Sequence, residues 1–198
     1  MIDQQHLRKN INMILFQATD EERAKGERWY ANAGFIASGM GAEYGYTKAQ
    51  ACGIIAALSP RTEWHQNLLI AERFMRGEEC IRQTGNNLEK AARIAEESEP
   101  EVIAAILFGR GGRKVEAFYY NLTGDHTYVT IDRHAFDLAL QSDEWKTLTP
   151  SRHSALVMAY TAVAEANHLQ VCQVQAITWL TWRRMKGYTN KEASWHVE

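Results

Sequence analysis

Apolar residues recur every three to four positions along most of the chain, and the strict alternation that marks strands is nearly absent. This spacing gives each segment one apolar stripe, as in an amphipathic helix. The sequence therefore predicts an all-α protein. Ten helices are expected, to within about two to four residues at each end, at 4–18, 20–38, 47–58, 63–76, 87–96, 99–108, 112–122, 133–141, 150–167 and 171–186.

Residues 127–131 break the helical pattern. This stretch reads TYVTI, is rich in β-branched and aromatic side chains, and follows the turn residues Thr123, Gly124 and Asp125. We therefore expect an extended connector that leads into Asp132.

A glycine-rich turn, GRGGRK at 109–114, joins two of the predicted helices. Gly109, Gly111 and Gly112 allow positive φ and the close approach of another chain. The unpaired amides at the following helix start attract phosphate. Lys114 falls in the first turn of that helix, whose predicted buried stripe is Val115, Phe118, Tyr119 and Leu122. An ordinary helix–helix turn with a solvated lysine would show the same residues.

Asp132 ends the apolar-rich connector, and His134 follows two positions later. A carboxylate on such a segment is partly desolvated and fixed in aim, which suits a general base or a group that stabilises developing positive charge. Asp132 also directly precedes a predicted helix, where aspartate is a favoured N-cap. The residues alone leave both roles open.

The charge of the chain does not by itself indicate a nucleic-acid partner. The formal net charge is -2, whereas phosphate contacts normally come with a basic patch. The charge is unevenly placed, however: residues 88–101 carry five acids against Lys90 and Arg93, and residues 182–191 carry four bases and no acid. One face can still be basic.

The last predicted helix carries Trp179 and Trp182, three residues apart, and both are expected in the core. Arg183, Arg184 and Lys186 follow them. These cations either lie near phosphate or form solvated surface.

Composition favours one compact unit spanning residues 1–198, because 198 residues with 45% apolar side chains suffice for one core and no linker or repeat is visible. Cys52, Cys80 and Cys172 are far apart and odd in number, which argues against a disulfide framework and for buried small side chains. Seven histidines without ligand spacing on a helix face predict no metal site. Neither a signal peptide nor a membrane span is visible, so an intracellular protein is expected.

The order of these features resembles the helix-hairpin-helix DNA glycosylases, which include endonuclease III, adenine glycosylase and 8-oxoguanine glycosylase. The hairpin lysine is matched by GGRK and the aspartate by VTIDRH, within a helix-hairpin-helix at about 99–122 and an Asp-bearing segment at 129–141. A further segment, CGIIAALSPRTEWHQNLLIAERFM within about 47–76, resembles the early helix-turn-helix of that family.

The resemblance implies two small helical lobes with the active site in the cleft between them, and a monomer that acts without a cofactor on double-stranded DNA. Lys114 would attack the sugar C1′, and Asp132 would assist departure of a damaged or modified base flipped out of the duplex. The residues expected to contact DNA are Gly109, Arg110, Gly111, Gly112, Arg113, His134, Ser59, Arg61, Trp64, His65 and Asn67. For Trp64, a place in the core is an equal alternative.

The sequence departs from the family at three points. The hairpin either holds one extra residue or has Arg110 in place of the first glycine, so its register is ambiguous by one residue. The four clustered cysteines of the iron–sulfur branch are absent, so no cluster is expected. The acidic net charge is also unusual for this family.

Three functions remain open. The first is a DNA glycosylase, with β-lyase activity if Lys114 attacks and without it if Asp132 activates water. The second is a base-modifying transferase on the same scaffold, as for some viral relatives of the superfamily, in keeping with a bacterial or phage-infected host. The third is a DNA-binding helix-hairpin-helix protein without catalysis, or a helical protein in which Lys114 and Asp132 are structural. The target base is not specified.

Overall fold

The computed structural model describes residues 3–80, 84–109, 112–141 and 147–188. Within these ranges the chain forms ten α-helices and no strand, which confirms the all-α prediction. Residues 128–132 have no regular secondary structure, in line with the predicted connector. The helices are α1 (Gln4–Phe16), α2 (Asp20–Tyr44), α3 (Lys48–Leu58), α4 (Trp64–Met75), α5 (Gly85–Ala95), α6 (Pro100–Phe108), α7 (Arg113–Thr123), α8 (Arg133–Leu140), α9 (Pro150–Ala166) and α10 (Val171–Met185).

Polar side chains fix most of the helix starts. Thr47 forms a capping box with Gln50 at the start of α3, so two amides at the helix start are bonded reciprocally. Thr19 and Glu22 make the same exchange at the start of α2, with N–O distances of 2.9 and 3.2 Å. The predicted helix starts therefore lie close to the observed ones.

Helix α2 continues six residues beyond its predicted end at 38. This extension contains Gly39 and Gly41, although glycine lowers helix propensity. A Cβ at position 41 would crowd Ala51, which shows that α2 and α3 pack closely at this point. Tertiary packing thus outweighs local propensity.

Residues divide into two compact units. The middle unit, Ala31–Asp125, contains α2 from residue 31 onward, followed by helices α3 to α7. Its central element is α3, in which every residue from Ala51 to Leu58 is buried. Helices α4, α5, α6 and α7 all pack against α3, and α6 also packs against α7. This arrangement fixes the directions of the two helices that flank the glycine hairpin.

The terminal unit, Met1–Tyr30 and His126–Glu198, contains α1, the start of α2, and α8 to α10. Helix α1 packs on α8, α9 and α10 through an apolar face that includes Leu7, Ile11 and Ile14. Val129 and Ile131 of the connector belong to the same core. Burial of these two residues holds the backbone that carries Asp132.

The cysteines are free in the described structure. Cys52 and Cys172 are buried as predicted, and Cys80 is half-buried. Burial raises the pKa of the Cys52 and Cys172 thiols to about 12, so both stay protonated near neutral pH. Among the helices described, none is long and apolar enough to cross a membrane.

Candidate active site

The glycine hairpin begins where α6 ends. Gly109 takes φ 25°, in the left-handed region that favours glycine. Gly112 caps α7, and its N–H donates to the Phe108 carbonyl at 2.6 Å. A Cβ at position 112 would collide with the carbonyl oxygens of Leu107 and Phe108, so the turn requires glycine there. The predicted DNA-binding residues Arg110 and Gly111 lie outside the described residues.

Lys114 is the second residue of α7 and is half-buried. On the same helix, Phe118, Tyr119 and Leu122 are buried as predicted, while Val115 is only half-buried. No hydrogen bond or ion pair joins the Lys114 amine to another described residue. Its neighbour Arg113 is exposed and stacks over the Phe108 ring at 5.9 Å. The amine is thus available for a ligand.

Asp132 caps α8, so the capping role that the sequence left open is confirmed. Its Oδ1 accepts from the Ala135 N–H at 2.7 Å. Its Oδ2 accepts from the indole Nε1–H of Trp179 at 3.1 Å. The backbone at Asp132 is extended, and the side chain is half-buried. Two donors from separate elements therefore fix the carboxylate, which exceeds what a helix cap alone requires.

Buried phenols lie near this carboxylate. The Tyr30 hydroxyl donates to Gln175 Oε1 at 2.7 Å, and the Tyr160 hydroxyl donates to the Ala135 carbonyl at 3.3 Å. Burial raises the pKa of both phenols far above 10, and the Asp132 charge adds to the rise. Both therefore remain neutral donors throughout the physiological range.

Trp179 belongs to an aromatic cluster of rings and one guanidinium group, formed with His134, Arg183 and Tyr188. His134 meets the Trp179 ring edge-on at 6.2 Å and the Tyr188 ring at 5.6 Å. The Arg183 guanidinium lies 4.6 Å from the centroid of Trp179 and 5.6 Å from that of Tyr188. His134, predicted to contact DNA, thus lies against Trp179, the residue that bonds to Asp132, and Arg183 in the same cluster is buried.

The burial and the partners of the α10 residues differ in part from the sequence prediction. Trp182 is buried as expected, but Trp179 is half-buried and bonded to Asp132. Arg184 is not available for phosphate, because its Nε lies 2.7 Å from Glu22 Oε1. Lys186 lies 4.5 Å from the centroid of the Trp182 ring. Spacing along one helix could not reveal the bond between Trp179 and Asp132.

The segment that resembles the early helix-turn-helix runs from α3 into α4. Arg61 is exposed with φ 62°, and His65 is exposed on the first turn of α4. Ser59 bonds its own helix through the Ala56 carbonyl at 2.8 Å. Trp64 is half-buried, with its ring edge-on to Phe118 of α7 at 6.2 Å. The segment is therefore tied to the helix that carries Lys114.

Asn67 has a different place from that expected of a DNA contact. Its side chain is 2% exposed, and Nδ2 donates to the Ile55 carbonyl at 3.0 Å. The residue braces α4 against α3 and offers almost no surface to a ligand.

Lys114 belongs to the middle unit and Asp132 to the terminal unit. Among the described residues, no group of three or more His, Cys, Asp or Glu side chains is arranged to hold a metal ion. Lys114 offers an amine, and Asp132 offers a carboxylate that two donors hold.

Comparison with known proteins gives one assignment. No curated protein and no solved structure matches the chain. A family model described as a family of unknown function (DUF7178) matches residues 2–186. The chain therefore belongs to the DUF7178 family.

Proposed function

We propose that this protein is a DNA glycosylase with associated β-lyase activity. It would flip a damaged or modified base out of double-stranded DNA and excise it through Lys114 and Asp132. The observation that carries the proposal is the Lys114 amine in the first turn of α7, which has no hydrogen-bond or ion-pair partner among the described residues. It follows directly after a hairpin that admits only glycine at 112. Such a junction leaves helix-start amides for a phosphate and a nucleophile beside them.

In this mechanism the nitrogen lone pair of Lys114 forms a bond to C1′ while the glycosidic bond breaks. The electrons of that bond leave with the base, which takes up a proton. The bound nitrogen then loses one proton, and its lone pair forms the C1′=N bond as the C1′–O4′ bond breaks; O4′ takes up a proton, which leaves a protonated imine. Removal of a C2′ proton then expels the 3′ phosphate by β-elimination, and water releases the lysine.

The Asp132 carboxylate would stabilise the positive charge that develops on the sugar. Its fixed position supports this role, because Ala135 and Trp179 hold both oxygens and little reorganisation is needed during the reaction. The two helical units are in keeping with the two lobes that the resemblance implies.

A DNA-binding protein without catalysis is the second candidate. Capping of α8 gives Asp132 a structural reason to be present. In that case the hairpin and the aromatic cluster would bind DNA, and Lys114 would contribute only charge.

Borohydride trapping tests the proposal, because it reduces the imine to a stable covalent complex. Duplexes with an abasic site or with oxidised, alkylated or deaminated bases are incubated with the wild type, Lys114→Ala, Asp132→Asn and Lys9→Ala. Lys9 is an exposed lysine of α1 and serves as the matched control. We expect a complex with at least one duplex for the wild type and Lys9→Ala, none for Lys114→Ala, and slower formation for Asp132→Asn.

Other products would identify other functions. Base release that survives Lys114→Ala but not Asp132→Asn indicates a glycosylase that uses water. A modified nucleoside left in the strand indicates a base-modifying transferase. Salt-sensitive DNA binding with no product across the whole panel contradicts catalysis and favours the binding protein.

A further inference from the structure

A cleft of about 490 Å³ lies between α5 and α6 in the middle unit. Its volume falls within the range of about 300–1,000 Å³ that is typical of small-ligand sites. One wall is polar and the other is apolar, and the cleft reaches the first glycine of the hairpin. The lining residues are Asn86, Lys90 and Arg93 from α5, Val102, Ala105 and Ile106 from α6, and Gly109.

The polar wall is positively charged although its segment is acidic overall. Asn86, Lys90 and Arg93 stand at i, i+4 and i+7, so they share one face of α5. Glu89 is not among the lining residues. The Glu97 carboxylate accepts from the amides of Ser98 and Glu99 at 2.9 and 3.2 Å, so it is engaged in the turn after α5. None of the described residues that line the cleft is acidic.

Lys90 ties this wall to the hairpin. Its Nζ donates to the Leu107 carbonyl near the end of α6 at 3.0 Å, and a Cβ on Gly109 would lie 3.1 Å from the same nitrogen. An ammonium group has three donors, so two remain for a ligand. Burial, and after it the charge of the neighbouring Arg93, lower the pKa of Lys90.

Neither cation has an acidic partner in the part of the chain that the structure describes. Two adjacent positive charges with spare donors and no carboxylate favour a bound anion. The apolar wall of Val102, Ala105 and Ile106 suits a ligand that also carries carbon surface. A sugar–phosphate unit has both properties.

We propose that this cleft binds a phosphate group of the DNA backbone, next to the phosphate that the hairpin amides hold. This inference rests on the proposed function, because DNA is the ligand only if the hairpin binds DNA. Gly109 both begins the hairpin and lines the cleft, so the cleft would then lie beside the DNA strand. Arg93 and Lys90 bind the phosphate oxygens, Asn86 adds an amide donor, and the wall from α6 contacts the sugar. The cleft extends the contact with DNA without reading the bases.

Salt-dependent binding of an undamaged labelled duplex tests the cleft. Arg93→Gln is the main variant, because Arg93 is exposed and makes no bond that the fold requires, and Asn86→Ala is the second. Arg8→Gln, an exposed arginine of α1, is the matched control that removes the same charge. We expect Arg93→Gln to weaken binding about three- to tenfold and to reduce the salt slope by about one, and Arg8→Gln to bind as the wild type does.

The outcomes separate the cleft from the enzyme. Equal affinity and slope for Arg93→Gln and Arg8→Gln, with a wild type that binds DNA, would overturn the cleft and leave the proposed function intact. Loss of affinity in Arg93→Gln together with an inactive wild type would support the cleft and contradict the glycosylase.

A wild type that does not bind DNA would overturn both. In that case, NMR spectra of the backbone amides, recorded with and without inorganic phosphate, show whether the cleft binds free phosphate. Shifts at Lys90 and Gly109 that vanish in Arg93→Gln would reassign the cleft to a free phosphate-bearing molecule.

Discussion

The indole of Trp179 donates its Nε1–H to the Oδ2 of Asp132 at 3.1 Å, while the other carboxylate oxygen caps α8. The bond joins α10 to the end of the connector, 47 residues apart in the chain. It fixes the rotation of the carboxylate, which a cap bond through one oxygen does not. Under the proposed function, Trp179 would act through Asp132 as a positioning residue.

Trp179→Phe should separate positioning from stability. Phenylalanine keeps most of the ring contacts but removes the donor, so unfolding free energy should fall by about 1 kcal/mol, while base excision should slow by about tenfold or more. Single-turnover excision and thermal unfolding measure the two effects. Trp182→Phe, one turn along the same helix and without a bond to Asp132, is the control, and an equal loss of activity in it would contradict the positioning role.

Asp132→Asn should leave the fold nearly intact and remove activity. Asparagine caps helices about as well as aspartate, but its amide nitrogen cannot accept the bond from Trp179, so the loss in unfolding free energy should be about 1–2 kcal/mol. The amide carries no negative charge for the sugar cation, so excision should fall by about a hundredfold or more. Chemical unfolding and single-turnover excision give the two values. A variant that unfolds readily but keeps its activity per folded molecule would show that Asp132 is only a cap.

Most of the fold could be predicted, because helix periodicity and caps are local properties. Thr47, Thr19 and Asp132 mark helix starts that depend on residues three positions away. The end of α2 could not be predicted in this way, since Gly41 packs closely against Ala51 of the following helix, and helix propensity does not include a contact between two helices.

The site was only partly predictable for the same reason. Asp132 was visible because its apolar run and following helix are adjacent in sequence. Trp179 reaches it from α10, and no spacing rule connects the two. The basic face formed by Lys90 and Arg93 was not predicted, because residues 88–101 are acidic on average. The i, i+3 spacing that puts the two side chains on one face was nevertheless present in the sequence.

Gly112→Ala tests the hairpin geometry. The added methyl group would collide with the Leu107 and Phe108 carbonyl oxygens, which are backbone atoms and cannot move aside separately. We expect a loss of about 2–4 kcal/mol in unfolding free energy, measured by urea denaturation.

The matched control is Gly39→Ala in α2, where an added Cβ meets nothing within 4 Å. It should stabilise the protein by about 0.5–1 kcal/mol through helix propensity. Similar effects at the two positions would mean that the hairpin does not require glycine at 112.

The ion pair between Glu22 and Arg184 predicts a pH dependence of stability. Burial alone would raise the pKa of Glu22, but the bonds from Arg184, Thr19 and Thr181 outweigh it and lower this pKa below its ordinary value of 4.5. A carboxyl group whose pKa is depressed in the folded state stabilises the fold above its unfolded pKa, and this contribution disappears as the pH falls through the folded value. Urea unfolding of the wild type and Glu22→Gln, followed from pH 7 down to pH 3, should therefore show a stability difference that is constant above about pH 5 and shrinks below about pH 4.5.

The control is the ion pair between Arg133 and Asp137 within α8, which is more exposed. Asp137→Asn should therefore lower the free energy of unfolding by less at neutral pH. A Glu22→Gln difference that stayed constant down to pH 3 would show that the Glu22 carboxylate does not stabilise the terminal unit through its charge.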